Sequence, residues 1–257
     1  RARGLDVRVL KEGDSVDYLY WVGCATAMNA RNHSTARALA AILAEAGVDF
    51  ATLGEDEHCT GDPARRMGNE YLFQTLAKQN IEILKARKFR AIVTTCPHCL
   101  NALANEYRAF GADFQVVHHS QLLAGLVASG RYQPKGGAAE TITFHDPCYL
   151  GRYNGIFDEP RAAIAATPGT TMIEMERSRE ASFCCGAGGG RTWMEEPMEH
   201  RVSNLRARQA LATGANAVAV GCPFCMLMME EAVNSEKGDR DVKVHDIAEL
   251  LHGSERA

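Results

Sequence analysis

AIVTTCPHC (residues 91–99) lies over AVAVGCPFC (217–225), an apolar run in each case followed by the same Cys-Pro-X-Cys. Each stretch is a short apolar, β-branched run that stops at a Cys-Pro-X-Cys. A run of that kind reads as a buried strand, and Pro directly after the cysteine marks the first position of a helix. Positions 96 and 222 differ by 126, as do 99 and 225. Working outward, Cys185 lies 126 beyond Cys59, Cys148 lies 124 beyond Cys24, and His119 in VVHHSQLL lies over His245 in VKVHDIAEL. Two copies of one unit of about 125 residues are the simplest reading.

Each copy alternates strand-like and helix-like segments. Copy one offers strands at YLYWVG (18–23), VDFATL (48–53), AIVTT (91–95) and FQVV (114–117), with helices near 33–46, 66–87, 98–109 and 119–128. The second of these helices carries an apolar stripe at Leu72, Leu76, Ile83 and Leu84. Copy two offers TITFH (141–145), MIEM (172–175), NAVAVG (216–221) and VKVH (242–245). Repeated β-α-β units predict an α/β fold: two pseudo-symmetric Rossmann-like repeats with parallel sheets. The expected organisation is an N-terminal extension (1–16), a first cysteine-rich repeat (17–130), a linker rich in Pro and Gly (131–140) and a second repeat (141–257).

Nine cysteines, an odd number, argue against a simple disulfide framework. The N-terminal residues hold no apolar leader, so a reducing compartment is expected, where clustered cysteines signal metal or redox chemistry. That N-terminus also lacks an initiating methionine and reads as part of something longer. A net charge of -4 gives no support for nucleic acid as a partner, and no apolar run reaches membrane-spanning length.

Placed on the strand map, all nine cysteines fall in loops at the carboxyl ends of strands, the edge where open α/β sheets bind ligands. Helix dipoles at the two CxxC turns favour thiolate. Copy two offers Cys148, Cys184, Cys185, Cys222 and Cys225; copy one offers Cys24, Cys59, Cys96 and Cys99. Five thiols overfill a structural zinc, and single cysteines some thirty residues apart are unlike zinc knuckles. An iron–sulfur cluster accepts thiolates from several loops and needs main chain nearby. The glycines after the vicinal pair, Gly186, Gly188 and Gly189 among them, would let backbone approach it. As a nucleotide loop this run fails, having no Lys-Ser/Thr after it.

The motifs EHCTGDPARRMGNEYLFQ (57–74), TTCPHCLNALANEY (94–107), HDPCYLGR (145–152), CCGAGGGRTWMEE (184–196) and GCPFCMLMM (221–229) make the chain resemble the cysteine-rich CCG domains of heterodisulfide reductase. They are similar also to the iron–sulfur subunits of glycolate and lactate oxidases, and most of all to bacterial membrane-bound reductases that pass electrons from electron-transfer flavoprotein to quinone. The resemblance runs from about Trp21 to Leu251. It implies a [4Fe–4S] cluster, cubane or non-cubane, on the five cysteines of copy two. In copy one His58 stands where the first cysteine of the vicinal pair is expected. The four remaining thiols would hold a second [4Fe–4S] cluster, with His58 a candidate fifth ligand; a degenerate scaffold with an empty site is the alternative. The resemblance further implies an electron-transfer flavoprotein or another redox donor, ferredoxin-like and membrane haem segments or subunits, and a place at the cytoplasmic face of a membrane. Catalytic disulfide reduction and a metal that only braces the fold are the competing functions.

Other residues near these motifs have structural explanations at least as good. Arg152, Arg191 and Trp193 suit a docking face or a loop. His118, His119 and His245 suit satisfied strand ends, and Met226, Met228 and Met229 suit a core. Asp62 suits a helix cap with Arg65 and Arg66 solvated.

Overall fold

The computed structural model describes residues 7–135, 140–197 and 200–253. It contains two four-stranded, all-parallel sheets of identical strand order. The first is built from β1 (Ser15–Trp21), β2 (Phe50–Ala51), β3 (Lys88–Thr94) and β4 (Val116–His118), ordered β2-β1-β3-β4. The second is built from β5 (Glu140–Phe144), β6 (Thr170–Met172), β7 (Ala217–Val220) and β8 (Lys243–Asp246), ordered β6-β5-β7-β8.

Strand alternation divides the apolar residues among three cores. Tyr20 and Val93 of the first sheet and Ala217 and Ala219 of the second face a shared central core. Leu39, Ile42 and Leu43 of helix His33–Glu45 and Ile247 and Leu251 of helix Ile247–His252 fill it. Leu19, Trp21 and Ile92 point the other way, into a core covered by Phe73 and Ile81 of helix Glu70–Lys85. Val218 and Val220 likewise meet Met226, Met229 and Val233 of helix Pro223–Glu236. Met226 and Met229 are therefore core side chains, and Met228 packs against that core.

Several expected elements are shorter or divided. The strand expected over 48–53 shrinks to Phe50–Ala51, and that expected over 172–175 lies earlier, at Thr170–Met172. The helix expected over 66–87 breaks at Met67–Asn69, where the Asn69 side chain caps a new helix by accepting from the Leu72 amide. That expected over 98–109 starts as Pro97–Asn101, widens to a π-helix over Ala102–Glu106 and tightens at Tyr107–Phe110. In the expected N-terminal extension Val9 pairs with Thr52 and Leu10 is fully buried, so its described part packs on the first sheet. Residues 1–6 of that extension, 136–139 of the expected linker, and 198–199 and 254–257 of the second repeat lie outside the described residues.

The copies correspond at a drifting offset. Thr94 pairs with His118 and Val220 with Asp246, and both His118 and Asp246 cap the following helix with a capping box. His118 thus corresponds to Asp246 (246 − 118 = 128). The expected match of His119 with His245 is out of step by two residues.

Candidate metal centre

Because every strand in a sheet runs the same way, the loops after them gather at one edge. Cys24 follows β1, Cys96 follows β3, Cys148 follows β5 and Cys222 follows β7. Cys96 and Cys222 each cap a helix with Pro at its first position. All nine cysteines are free thiols.

In the second repeat the five thiols form one connected group. Cys225 Sγ is 3.2 Å from Cys185 Sγ, and Cys222 interacts with Cys225, as Cys184 does with both Cys148 and Cys185. The Gly186 amide donates to Cys184 Sγ at 3.2 Å. Cys148 and Cys185, the thiols on either side, draw the Cys184 thiol well down, and burial opposes them. In the first repeat Cys24 Sγ is 3.7 Å from Cys59 Sγ, and the Gly61 amide donates to Cys59 at 3.4 Å. The Cys24 thiol and that amide outweigh burial and bring Cys59 down to about 7. Cys96 and Cys99 complete this group. Moreover, the two CxxC turns meet, with the His98 and Phe224 rings 5.4 Å apart and Cys96 and Cys222 perturbing each other's ionisation, so the two groups adjoin across the repeat boundary.

These contacts correct one correspondence. Gly61 and Gly186 both hold positive φ (81° and 89°), and each donates to the sulfur two residues before it. Cys59 therefore matches Cys184 (184 − 59 = 125), and Thr60 takes the place of Cys185. Thr60 Oγ1 even approaches Cys99 Sγ at 4.0 Å, as Cys185 approaches Cys225. His58 corresponds to Phe183 instead, and lines a cavity of about 190 Å³ with Cys24, Glu57 and Cys59.

The glycines of this run meet different surroundings. A Cβ on Gly186 would meet Val202 Cβ at 3.2 Å, and one on Gly190 would meet Met67 Cγ at 2.6 Å. Those two glycines yield space to protein, whereas a Cβ on Gly188 or Gly189 would meet nothing within 4 Å.

Polar residues that sequence reasoning passed over pin the loops. The Glu57 carboxylate accepts from the Val22 and Gly23 amides at 3.0 and 2.6 Å, tying the Cys59 loop to the Cys24 loop. Burial pushes that carboxyl up to about 7. In the second repeat the buried Asp146 accepts two bonds from Arg161, at 2.7 and 2.9 Å, and one from the Arg179 amide at 2.8 Å. Asn32 Nδ2 donates to Ala25 O (3.1 Å) and across the repeats to Pro223 O (3.2 Å). Asn154 mirrors it, donating to Tyr149 O at 2.6 Å and to Asn101 Oδ1 at 3.4 Å. The sequence signal was position for Glu57 and Asp146, each two places before a cysteine.

Other expectations resolve individually. His118 and His119 are buried and satisfied, His118 Nε2 by Gly221 O at 3.0 Å and His119 Nε2 by Asp246 Oδ1 at 3.0 Å. Asp62 does not cap; it bonds His98 Nδ1 (2.9 Å) and Arg66 Nε (3.0 Å). Arg65 and Arg66 both pair with Glu106. Arg191 pairs with Glu196, Trp193 is 59% exposed with its ring edge on Phe224, and Arg152 is exposed.

The donor set fits an iron–sulfur group. It is all sulfur, it receives backbone N–H groups, and His145 and Arg206 beside it are buried cationic or proton-bearing groups. His145 offers a ring nitrogen within 4.8 Å of the Cys185 and Cys225 sulfurs. Burial, and then the Arg206 charge, hold this imidazole down to about 3, so it is neutral.

Comparison with known proteins agrees. The chain is 45% identical over 94% of its length to the probable iron-sulfur-binding oxidoreductase FadF of Bacillus subtilis, covering 34% of that protein. It is 40% identical over 98% of its length to the EtfAB:quinone oxidoreductase of Syntrophomonas wolfei, covering 37% of it. One subunit of the dihydromethanophenazine:CoB–CoM heterodisulfide reductase of Methanosarcina barkeri is 33% identical over 94% of this chain and 60% of its own length. The chain thus spans about a third of the length of the first two. No helix among the described residues is long and apolar enough to cross a membrane. The cysteine-rich CCG domain matches residues 18–104 and again 142–230, so the chain belongs to the CCG cysteine-rich domain family and carries the domain twice.

Proposed function

We propose that this chain is the electron-transfer module of a larger oxidoreductase. One [4Fe–4S] cluster would sit on Cys148, Cys184, Cys185, Cys222 and Cys225, and a second on Cys24, Cys59, Cys96 and Cys99. Five thiols exceed the four a cubane needs, which favours the non-cubane form in the second repeat. When bound, such clusters supply one-electron redox chemistry. The chain's own residues hold the thiols in place, donate amide hydrogens to sulfur from Gly61 and Gly186, and exclude water by burying Cys96, Cys99, Cys185, Cys222 and Cys225.

The observation that carries this reading is the adjoining of the two thiol groups at Cys96 and Cys222, which would place two redox centres within easy electron-transfer range. Reduced electron-transfer flavoprotein is the proposed donor and membrane quinone the eventual acceptor. The naming and 40% identity of the Syntrophomonas relative support this choice. The ferredoxin-like and haem segments, and attachment at the cytoplasmic face of a membrane, would belong to the part of such relatives that this chain does not span.

Iron and sulfide are to be counted per chain on protein prepared without oxygen, and the paramagnetic signals followed on adding reduced flavoprotein. The reading requires iron, and signals that grow with the flavoprotein. A colourless zinc protein would defeat it. Reduction by no flavoprotein, together with turnover of a heterodisulfide, would favour disulfide reduction, which the 33% identity to the heterodisulfide reductase of Methanosarcina barkeri also supports.

A further inference from the structure

His145 stands at the end of β5, three residues before Cys148, and is 1% exposed. Its Nδ1 accepts a hydrogen bond from Arg206 Nε at 3.0 Å. A guanidinium only donates, so the Nδ1 lone pair is engaged and the proton of the neutral ring sits on Nε2. That Nε2 is buried and has no hydrogen-bond partner. Yet a ring nitrogen lies within 4.8 Å of both Cys185 Sγ and Cys225 Sγ. A buried N–H left unpaired is costly, so its position asks for an acceptor at the thiol group.

Arg206 makes the same demand through charge. It is fully buried, and its other donors go to neutral oxygens: Arg177 O at 2.8 Å, Gln209 Oε1 at 2.9 Å and Ser182 Oγ at 3.2 Å. Among the described residues no carboxylate lies at ion-pair distance from it, and Asp146, whose charge reaches it, is already bonded to Arg161 and the Arg179 amide. A buried cation without a counter-ion is costly unless negative charge lies near. An iron–sulfur group on five thiolates is such a charge.

The first repeat repeats the arrangement with a different residue. Trp21 stands three residues before Cys24 and pairs with Thr94 in the register where His145 follows the Phe144–Ala219 pair. It is fully buried in the core that holds Cys96 and Cys99, and its Nε1–H also lacks a partner. An indole nitrogen can only donate. Two unrelated side chains at one structural position thus share a single property, a buried N–H that the protein leaves unused.

We propose that His145 donates its Nε2–H to sulfur of the cluster held by the second thiol group, in a tautomer fixed by Arg206, and so raises that cluster's reduction potential. His145 is therefore not a metal ligand, because a ligating nitrogen must offer a lone pair and the free nitrogen carries the proton. Arg206 is a positioning residue acting through it. A donor to sulfur stabilises the more negative, reduced cluster, which is the sign of the effect. Trp21 supplies the equivalent donor in the first repeat.

This inference rests on the cluster reading above. The test uses the full, iron-loaded protein. Pulsed paramagnetic resonance on protein carrying ¹⁵N-histidine is expected to show one weakly coupled histidine nitrogen at the reduced second cluster. Strong coupling of a directly bonded nitrogen, or no coupling, overturns the proposal while leaving the cluster reading intact; absence of iron from the unmutated protein overturns both. His145→Phe should keep its iron and shift the reduced-to-oxidised ratio about tenfold toward oxidised at fixed potential, about 59 mV for a one-electron couple. An unchanged potential, or loss of iron when the metal-free variant melts like its parent, defeats the proposal. If that variant does not fold, the nitrogen coupling of the unmutated protein decides alone.

Discussion

Arg31 and Glu249, 218 residues apart, meet in a two-pronged ion pair, with Nη1–Oε1 at 2.8 Å and Nη2–Oε2 at 3.2 Å. The pair joins the helical layer of the first sheet to that of the second. Arg31 also reaches Glu230 Oε1 at 2.7 Å and Val244 O at 2.9 Å, while Thr35 and the Asp246 amide bond to Glu249. The cysteine groups can adjoin only while the two sheets stay docked, and this contact helps to hold them.

Burial alone would raise the Glu249 carboxyl, but Arg31 outweighs it and holds the group below its ordinary value of 4.5. The unfolded chain then binds the proton first, so the pair's contribution is present above pH 4.5 and fades as pH falls through the depressed value. Glu249→Gln should destabilise the metal-free chain by roughly 2–4 kcal/mol at pH 7, as for a mostly buried pair that loses one charge. It should also lose less further stability on acidification than the parent. Urea unfolding at pH 7 and pH 4 measures both; equal acid sensitivity in the two proteins would show that Glu249 is not the group responsible.

The parallel α/β plan was legible because AIVTT and AVAVG are buried runs that end at identical CP turns. The residue-by-residue partners were not, because loop lengths drift. The offset is 124 at Cys24 and Cys148, 125 at Cys59 and Cys184, 126 at the CxxC turns and 128 at His118 and Asp246. A constant 126 paired Cys59 with the wrong cysteine and promoted His58. Only the matching positive φ of Gly61 and Gly186, and the amide each aims at a sulfur, restore the register. His145 and Arg206 were harder still. A lone histidine in HDPC and an arginine in an ordinary helical run gain meaning only when the fold sets them side by side.

Thr60, 2% exposed, occupies the place of the second vicinal cysteine. Thr60→Cys should give the first repeat its fifth thiol at a stability cost of about 1 kcal/mol, since the side chains are similar in volume. Iron content should hold or rise, and the first-repeat paramagnetic signal should come to resemble that of the second. A signal identical to the parent's would mean that position 60 does not face the cluster.

Cys185 contacts Cys184 and Cys225 and so links the two ends of the five-thiol group. Cys185→Ser should remove the second cluster, lower iron per chain by about half if both repeats are loaded, and stop electron flow through the module. Circular dichroism of the metal-free variant should match that of the parent, because the serine replaces a sulfur of similar size. Full iron with unaltered spectra would remove Cys185 from the ligand set.

Cys59→Ser asks the complementary question of the first repeat. Cys59 is joined to Cys24 at 3.7 Å and receives the Gly61 amide, so its loss leaves three thiols, too few for an ordinary cubane. Iron should again fall by about half, and the signal that remains should be that of the second repeat. Because Cys96 adjoins Cys222, that surviving signal should also lose any broadening from a neighbouring paramagnet, which relaxation measurements at several temperatures detect. Unchanged iron after Cys59→Ser would mean that the first repeat is a scaffold, and that Thr60 marks where its cluster-binding ability was lost.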